Sequence, residues 1–159
     1  VDLLKGIGRY AGLEVIDVPG ATGNMDTNYQ GKVDAALEAL RSGDFVYLHI
    51  EAPDEAGHEG ETDLKVRAIE LFDEKVVGPV LQGLEKSGAD WRVLLLPDHA
   101  TPIAIKTHSS DPVPFTIAGS GIQPDSLERF DETAARTGGY GLVRATELVG
   151  MMKREWSLP

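Results

Sequence analysis

Apolar positions recur at helical spacing in "DLLKGIGRYAGL", where Leu3, Leu4, Ile7 and Tyr10 share a face and Gly12 marks the stop. "LEVIDV", residues 13–18, is a short β-rich run. "PGATGNMDTN" follows as loop, broken by Gly20, Gly23 and Asn24. Thr27 or Asn28 can cap a second helix, "YQGKVDAALEALRSG", with Val33, Ala36, Leu37 and Leu40 on one side. "DFVYLHI", residues 44–50, is nearly all apolar, as a strand covered on both faces would be. "EAPDEAGHEGE" is expected to be loop. "TDLKVRAIELFDEKVVGPVLQGLEKSG" predicts one long helix, with Leu64, Ala68, Leu71, Val76 and Leu81 among its apolar positions. "WRVLLL" (91–96) and "VPFTIAG" (113–119) predict two further strands. "TGGYG" is loop, and a last helix is expected from about Leu142 to Trp156.

This alternation of helices and strands predicts an α/β fold, a mostly parallel sheet with helices on both faces. Sites in such sheets lie beyond the carboxyl ends of the strands. The polar clusters fall there. Asp54 and His58 follow the strand ending at Ile50, Asp98 and His99 follow the one ending at Leu96, and His108 precedes the strand near Val113.

Each cluster alone has a bland reading. Asp54 and His58 would share a face on a turn of helix, yet such residues in a strand-to-helix loop more often cap or face solvent. Asp98 after Pro97 can start a turn. His108 in "KTHSSD" can be an ordinary loop histidine. Together they form a set of nitrogen and oxygen donors that suits zinc or manganese. Adjacent Asp98 and His99 could serve two close ions. His49, inside an apolar run, reads as a core or sheet-face histidine with a hydrogen bond. Asp73 reads as a solvated helix position, with support of a metal ligand as the sharper alternative. Lys5 and Arg9, one turn apart, could meet a phosphate or be a plain surface pair.

The bulk numbers narrow the classes. A chain of 159 residues is enough for a single domain. The net charge of -11 argues against nucleic acid and anionic membranes as partners. Bound divalent cations would reverse that field locally for an anionic substrate. Cysteine is absent, which excludes disulfides and thiolate ligands and points to a reducing cytoplasm. No apolar run approaches the ~18 residues of a membrane span, and no signal-peptide pattern is read. The chain opens on Val1 within a helical pattern, so a piece of a longer protein is expected.

"APDEAGHEG", "PDHATP", "KTHSSDPVPF", "VIDVPGATGNMDTNYQGK" and "ERFDETAARTGGYG" resemble the carboxyl-terminal part of cofactor-independent phosphoglycerate mutase of the archaeal type, in the alkaline phosphatase superfamily. The resemblance covers nearly the whole chain. It implies an alkaline-phosphatase-like core, present in part, and a glycolytic enzyme that moves a phosphoryl group between the 3 and 2 hydroxyls of glycerate through a phosphoserine. It implies two divalent ions, manganese or zinc, at most partly occupied in this chain. By the same resemblance Asp54, His58 and His108 would hold one ion, Asp98 and His99 the other, and Lys5 would lie near the phosphoryl group. The family's nucleophilic serine, a further metal-binding aspartate and its inserted substrate domain have no match here. None of Ser42, Ser87, Ser109, Ser110, Ser120, Ser126 and Ser157 has the strand-to-helix setting and acidic partner of an activated nucleophile. The chain alone is therefore expected to be inactive, and exposed sheet edges would favour self-association. Another phosphatase or phosphonate hydrolase of the superfamily, or a non-catalytic metal-binding domain, are the alternatives.

Overall fold

The computed structural model describes residues 2–154, Arg154 by its backbone alone. The far end of the expected last helix, at Trp156, lies outside the described residues. Two compact units result, one of Val1–Ser87 with Pro102–Thr107, the other of Gly88–Thr101 with His108–Pro159.

In the first unit α1 (Asp2–Tyr10) forms where its periodicity predicts, and the chain turns at Gly12. Its apolar side stays open, with Leu3 72%, Ile7 54% and Tyr10 98% exposed. Asn28 caps α2 (Tyr29–Ala39), its side chain accepting from Gly31 N at 2.9 Å. Tyr29, Val33 and Val76 make the centre of one apolar cluster, against which Leu37, Leu48, Ile50, Leu71, Phe72 and Val80 pack. Lys32 Nζ donates to the carbonyl of His49 at 3.0 Å and fastens the 44–50 segment to α2.

The segment expected as loop is helical: α3 spans Ala52–Glu59. Pro53 sits in its first turn, where a missing N–H costs nothing. Asp54 and Glu55 are favourable beside the positive helix start. Gly60, at φ 79°, closes it in the left-handed region with its N–H on the carbonyls of Ala56 and Gly57. The long helix expected next is interrupted. α4 (Thr62–Phe72) and α5 (Gly78–Ser87) are joined by a π-helical turn, Asp73–Val77. Pro79 explains it. Proline has no N–H and its ring would strike the carbonyl four residues back; the wider turn puts Gly78 N–H on the carbonyl of Asp73 instead. Asp73 is exposed there. α3 meets α4 through Ala52, Ala56 and Ala68, at 1%, 1% and 0% exposure, with Met25, Ile50 and Leu64 around them.

The second unit holds β1 (Arg92–Leu95) and β2 (Thr116–Gly119), antiparallel, with Arg92 opposite Gly119 and Leu95 opposite Thr116. Arg92 ties this ladder to the last helix, donating to the carbonyls of Ser120 at 2.8 Å and Met152 at 2.7 Å. Asp131 caps the short α6 (Glu132–Ala135), and α7 (Ala145–Arg154) buries Leu148.

The mostly parallel sheet is not formed among the described residues, whose one sheet is the antiparallel pair. Residues 13–18 and 45–50 lie outside helix and strand, with no ladder. A strand needs a partner for its N–H and C=O groups, and the local pattern cannot supply one. Residues 44–50 are also covered on one side alone: Leu48 and Ile50 pack on the helical cluster, while Phe45 and Tyr47 are 42% and 56% exposed.

Candidate metal centre

Asp54 and His58 are one turn apart on α3, so both side chains leave the helix on the same side. Nε2 of His58 lies 3.3 Å from Oδ2 of Asp54. Nδ1 of the same ring lies 3.0 Å from the carbonyl oxygen of Lys106. A carbonyl only accepts, so a hydrogen bond there puts a proton on Nδ1, and Nε2 is the ring nitrogen that faces the carboxylate. This donor set fits a divalent ion of the zinc or manganese kind. Glu51 and Glu55 add to it: one ligand atom each from Glu51, Asp54 and Glu55 lie within 4.8 Å of one another.

In the second unit Asp98 and His99 follow β1 directly, where the chain leaves the ladder. His99 Nε2 lies 3.6 Å from Asp98 Oδ2, and the His99 backbone N–H donates to Asp98 Oδ1 at 3.1 Å. Nδ1 of His99 lies 3.3 Å from the hydroxyl of Thr101, which is 4% exposed. An isolated antiparallel bridge between Ala100 and Ser109 sets the two neighbouring histidines together, the rings of His99 and His108 being 3.7 Å apart between centroids. Ser109 has an acidic partner, donating to Asp111 Oδ2 at 2.6 Å, but in a loop turn rather than at a strand-to-helix junction.

Within the first unit, then, the structure brings Asp54 and His58 together, and within the second Asp98, His99 and His108. Lys5 is on α1, paired with Asp17. The ammonium of Lys5, bonded to that carboxylate, holds Asp17 below the usual carboxylate range. His49, expected in the core or on a sheet face, is instead half-buried in a segment outside helix and strand, with Nδ1 3.4 Å from Glu51 Oε2 and its ring stacked on Tyr47 at 6.4 Å.

Sequence reasoning missed Glu51, Glu55, Thr101 and Lys106. The first two were within reach: once Pro53 is taken as a helix start, Glu51, Asp54 and Glu55 fall at three- and four-residue spacing. Lys106 acts on His58 through its backbone, which carries no residue-type signal.

The comparisons agree with a metal-dependent reading. The chain is 66% identical over 152 residues to the 2,3-bisphosphoglycerate-independent phosphoglycerate mutase of Methanothrix thermoacetophila, covering 96% of this chain and 39% of that protein. It is 52% identical over 153 residues to the probable enzyme of the same name from Geobacter sulfurreducens, covering 38% of it. The solved structure of the PH0037 protein from Pyrococcus horikoshii superposes with a TM-score of 0.89 at 37% identity, over 96% of this chain and 46% of that one. The chain thus spans about two fifths of the length of these curated relatives. The model of the metalloenzyme superfamily matches residues 1–154, and over that length both Asp–His pairs are included; the chain belongs to the metalloenzyme superfamily.

Proposed function

We propose that this chain is part of a metal-dependent phosphoryl-transfer enzyme that interconverts 3-phosphoglycerate and 2-phosphoglycerate in the cytoplasm. The observation that carries the reading is the identity to curated mutases across nearly the whole chain, supported by the Asp54–His58 pair one helical turn apart on α3. In this reading Asp54, His58 and His108 hold one divalent ion, and Asp98 and His99 contribute to a second. His108 lies two residues along the chain from Lys106, whose carbonyl holds His58.

Bound ions would neutralise an anionic phosphate and ease loss of a hydroxyl proton. The chain's own residues do the positioning. The Lys106 carbonyl keeps the His58 proton on Nδ1, and Thr101 orients His99. Lys5 meets the phosphoryl group by leaving Asp17, an exposed ion pair of small net worth that a doubly charged phosphate can outcompete. The phosphoserine route needs a nucleophile that none of the serines among the described residues supplies. Segments 13–18 and 44–50 act as strands of a mostly parallel sheet, with partners elsewhere in a longer protein.

The test is conversion of 3-phosphoglycerate by the complete protein with manganese or zinc, against His58→Ala. Conversion that disappears with His58→Ala or with chelation supports the reading. Hydrolysis of phosphomonoesters without conversion would assign a phosphatase instead, and metal uptake with neither activity a binding module.

A further inference from the structure

Lys106 makes two contacts at the end of α3. Its backbone carbonyl lies 3.0 Å from Nδ1 of His58, and its ammonium donates to the carbonyl of Glu59 at 2.9 Å. Its φ of 52° is the one positive value at a non-glycine residue among those described. Left-handed backbone is costly for a residue with a Cβ, and persists where the surroundings hold it. Two bonds hold it here: the Lys106 N–H on the carbonyl of Pro102 at 3.0 Å, and the ammonium on Glu59. Gly60 leaves the necessary room, since a Cβ there would collide with the Lys106 arm.

We propose that Lys106 is the positioning residue of His58. The inference rests on the reading of His58 as a metal ligand. The ammonium satisfies a carbonyl at the end of α3 that has no partner within the helix, and in doing so anchors the left-handed backbone. The carbonyl, so placed, holds a proton on Nδ1 and fixes the tilt of the His58 ring, so that Nε2 faces Asp54. Remove the ammonium and the backbone relaxes, the carbonyl swings away, and the ring samples both tautomers.

The complete protein labelled with 15N-histidine and free of metal reads this directly through the ring nitrogen shifts, with His58 assigned as the signal that His58→Gln removes. Wild type is expected as the Nδ1–H tautomer. Lys106→Met, which keeps the stem and loses the charge, should give a mixture, with manganese affinity about tenfold weaker. Lys106→Arg, which can still donate to Glu59, should restore both. A Lys106→Met protein that keeps a pure Nδ1–H tautomer and wild-type affinity would overturn the proposal, as would failure of Lys106→Arg to restore the tautomer. Unchanged manganese affinity in His58→Gln would instead overturn the ligand reading, leaving the tautomer result to judge Lys106 by itself.

Discussion

Replacing Asp54 by asparagine removes a charge and keeps the shape of the side chain. Its Oδ2 is 3.3 Å from His58 Nε2, the two side chains being 23% and 37% exposed. Two opposite unit charges about 4 Å apart in an effective dielectric of about 20 attract by about 4 kcal/mol, and partial solvent access reduces the carboxylate's share of a cation's binding to roughly two thirds of that. A loss of about 2.7 kcal/mol in cation affinity is about a hundredfold in Kd. Metal at about 100 times the wild-type Kd stabilises the folded state by about 2.7 kcal/mol, and the same concentration stabilises the variant by only about 0.4 kcal/mol. For a folding unit of 150–250 residues the difference is about 5–9 °C in Tm, and smaller in a longer chain. The assay is thermal unfolding of the complete protein and of Asp54→Asn, each with and without manganese or zinc. The expected result is two similar melting points without metal and a metal-dependent rise confined to wild type. An Asp54→Asn protein that keeps the full rise would refute the assignment of Asp54 as a ligand.

Three further outcomes follow from the packing and the caps. Val33→Ala, at a side chain 1% exposed between Tyr29 and Val76, should cost about 2 kcal/mol in urea unfolding, two lost methyl groups being partly offset by the better helix propensity of alanine. Tyr29→Phe should leave stability unchanged or raise it by up to about 1 kcal/mol in the same assay, because the Tyr29 hydroxyl is buried without a hydrogen-bond partner and burial pushes its pKa up. Asp131 accepts from Ala134 N at 2.8 Å, and that bond holds its carboxyl below the usual range of 3.8. Its folded pKa is depressed, so its stabilisation is present above the unfolded value and fades as pH falls through the folded one. Tm measured from about pH 5 to about pH 2.5 should therefore fall less steeply in Asp131→Asn, which keeps an acceptor oxygen without the titration.

The legible parts of this fold are those decided locally. The Asn28 cap, the face of α2 around Val33 and Ala36, and the apolar runs of β1 and β2 all rest on residues within a few positions of one another. Residues 13–18 and 44–50 read as strands for a good local reason, but a ladder is a property of two segments, and neither finds one among the described residues. The π turn at Asp73–Val77 hides within an unbroken apolar periodicity, and Pro79 was its only sign. In the site, donor types announce themselves as Asp and His. The group that sets the His58 tautomer is a carbonyl, which every residue possesses, and its placement depends on a left-handed Lys106 forty-eight positions away.

The misreading of residues 52–59 as loop has a cause that bears on function. Ala52 and Ala56 are buried against Ala68 of α4, so this side of α3 is built of small residues that let two helices approach closely. Asp54 and His58 are each two residues on, about 200° around the helix, and so face away from that contact. A helix used in this way needs no large apolar side chain, and the usual signal of helical periodicity vanishes. Such a design suits a metal site. Ligands on a loop would be free to drift, whereas Asp54 and His58 inherit their spacing from hydrogen-bonded backbone docked on a second helix. What the short helix lacks is a secure last turn, where His58 stands. Gly60 and the Lys106 ammonium act at that end, so the weakest point of α3 and the ligand that depends on it are held by the same contact.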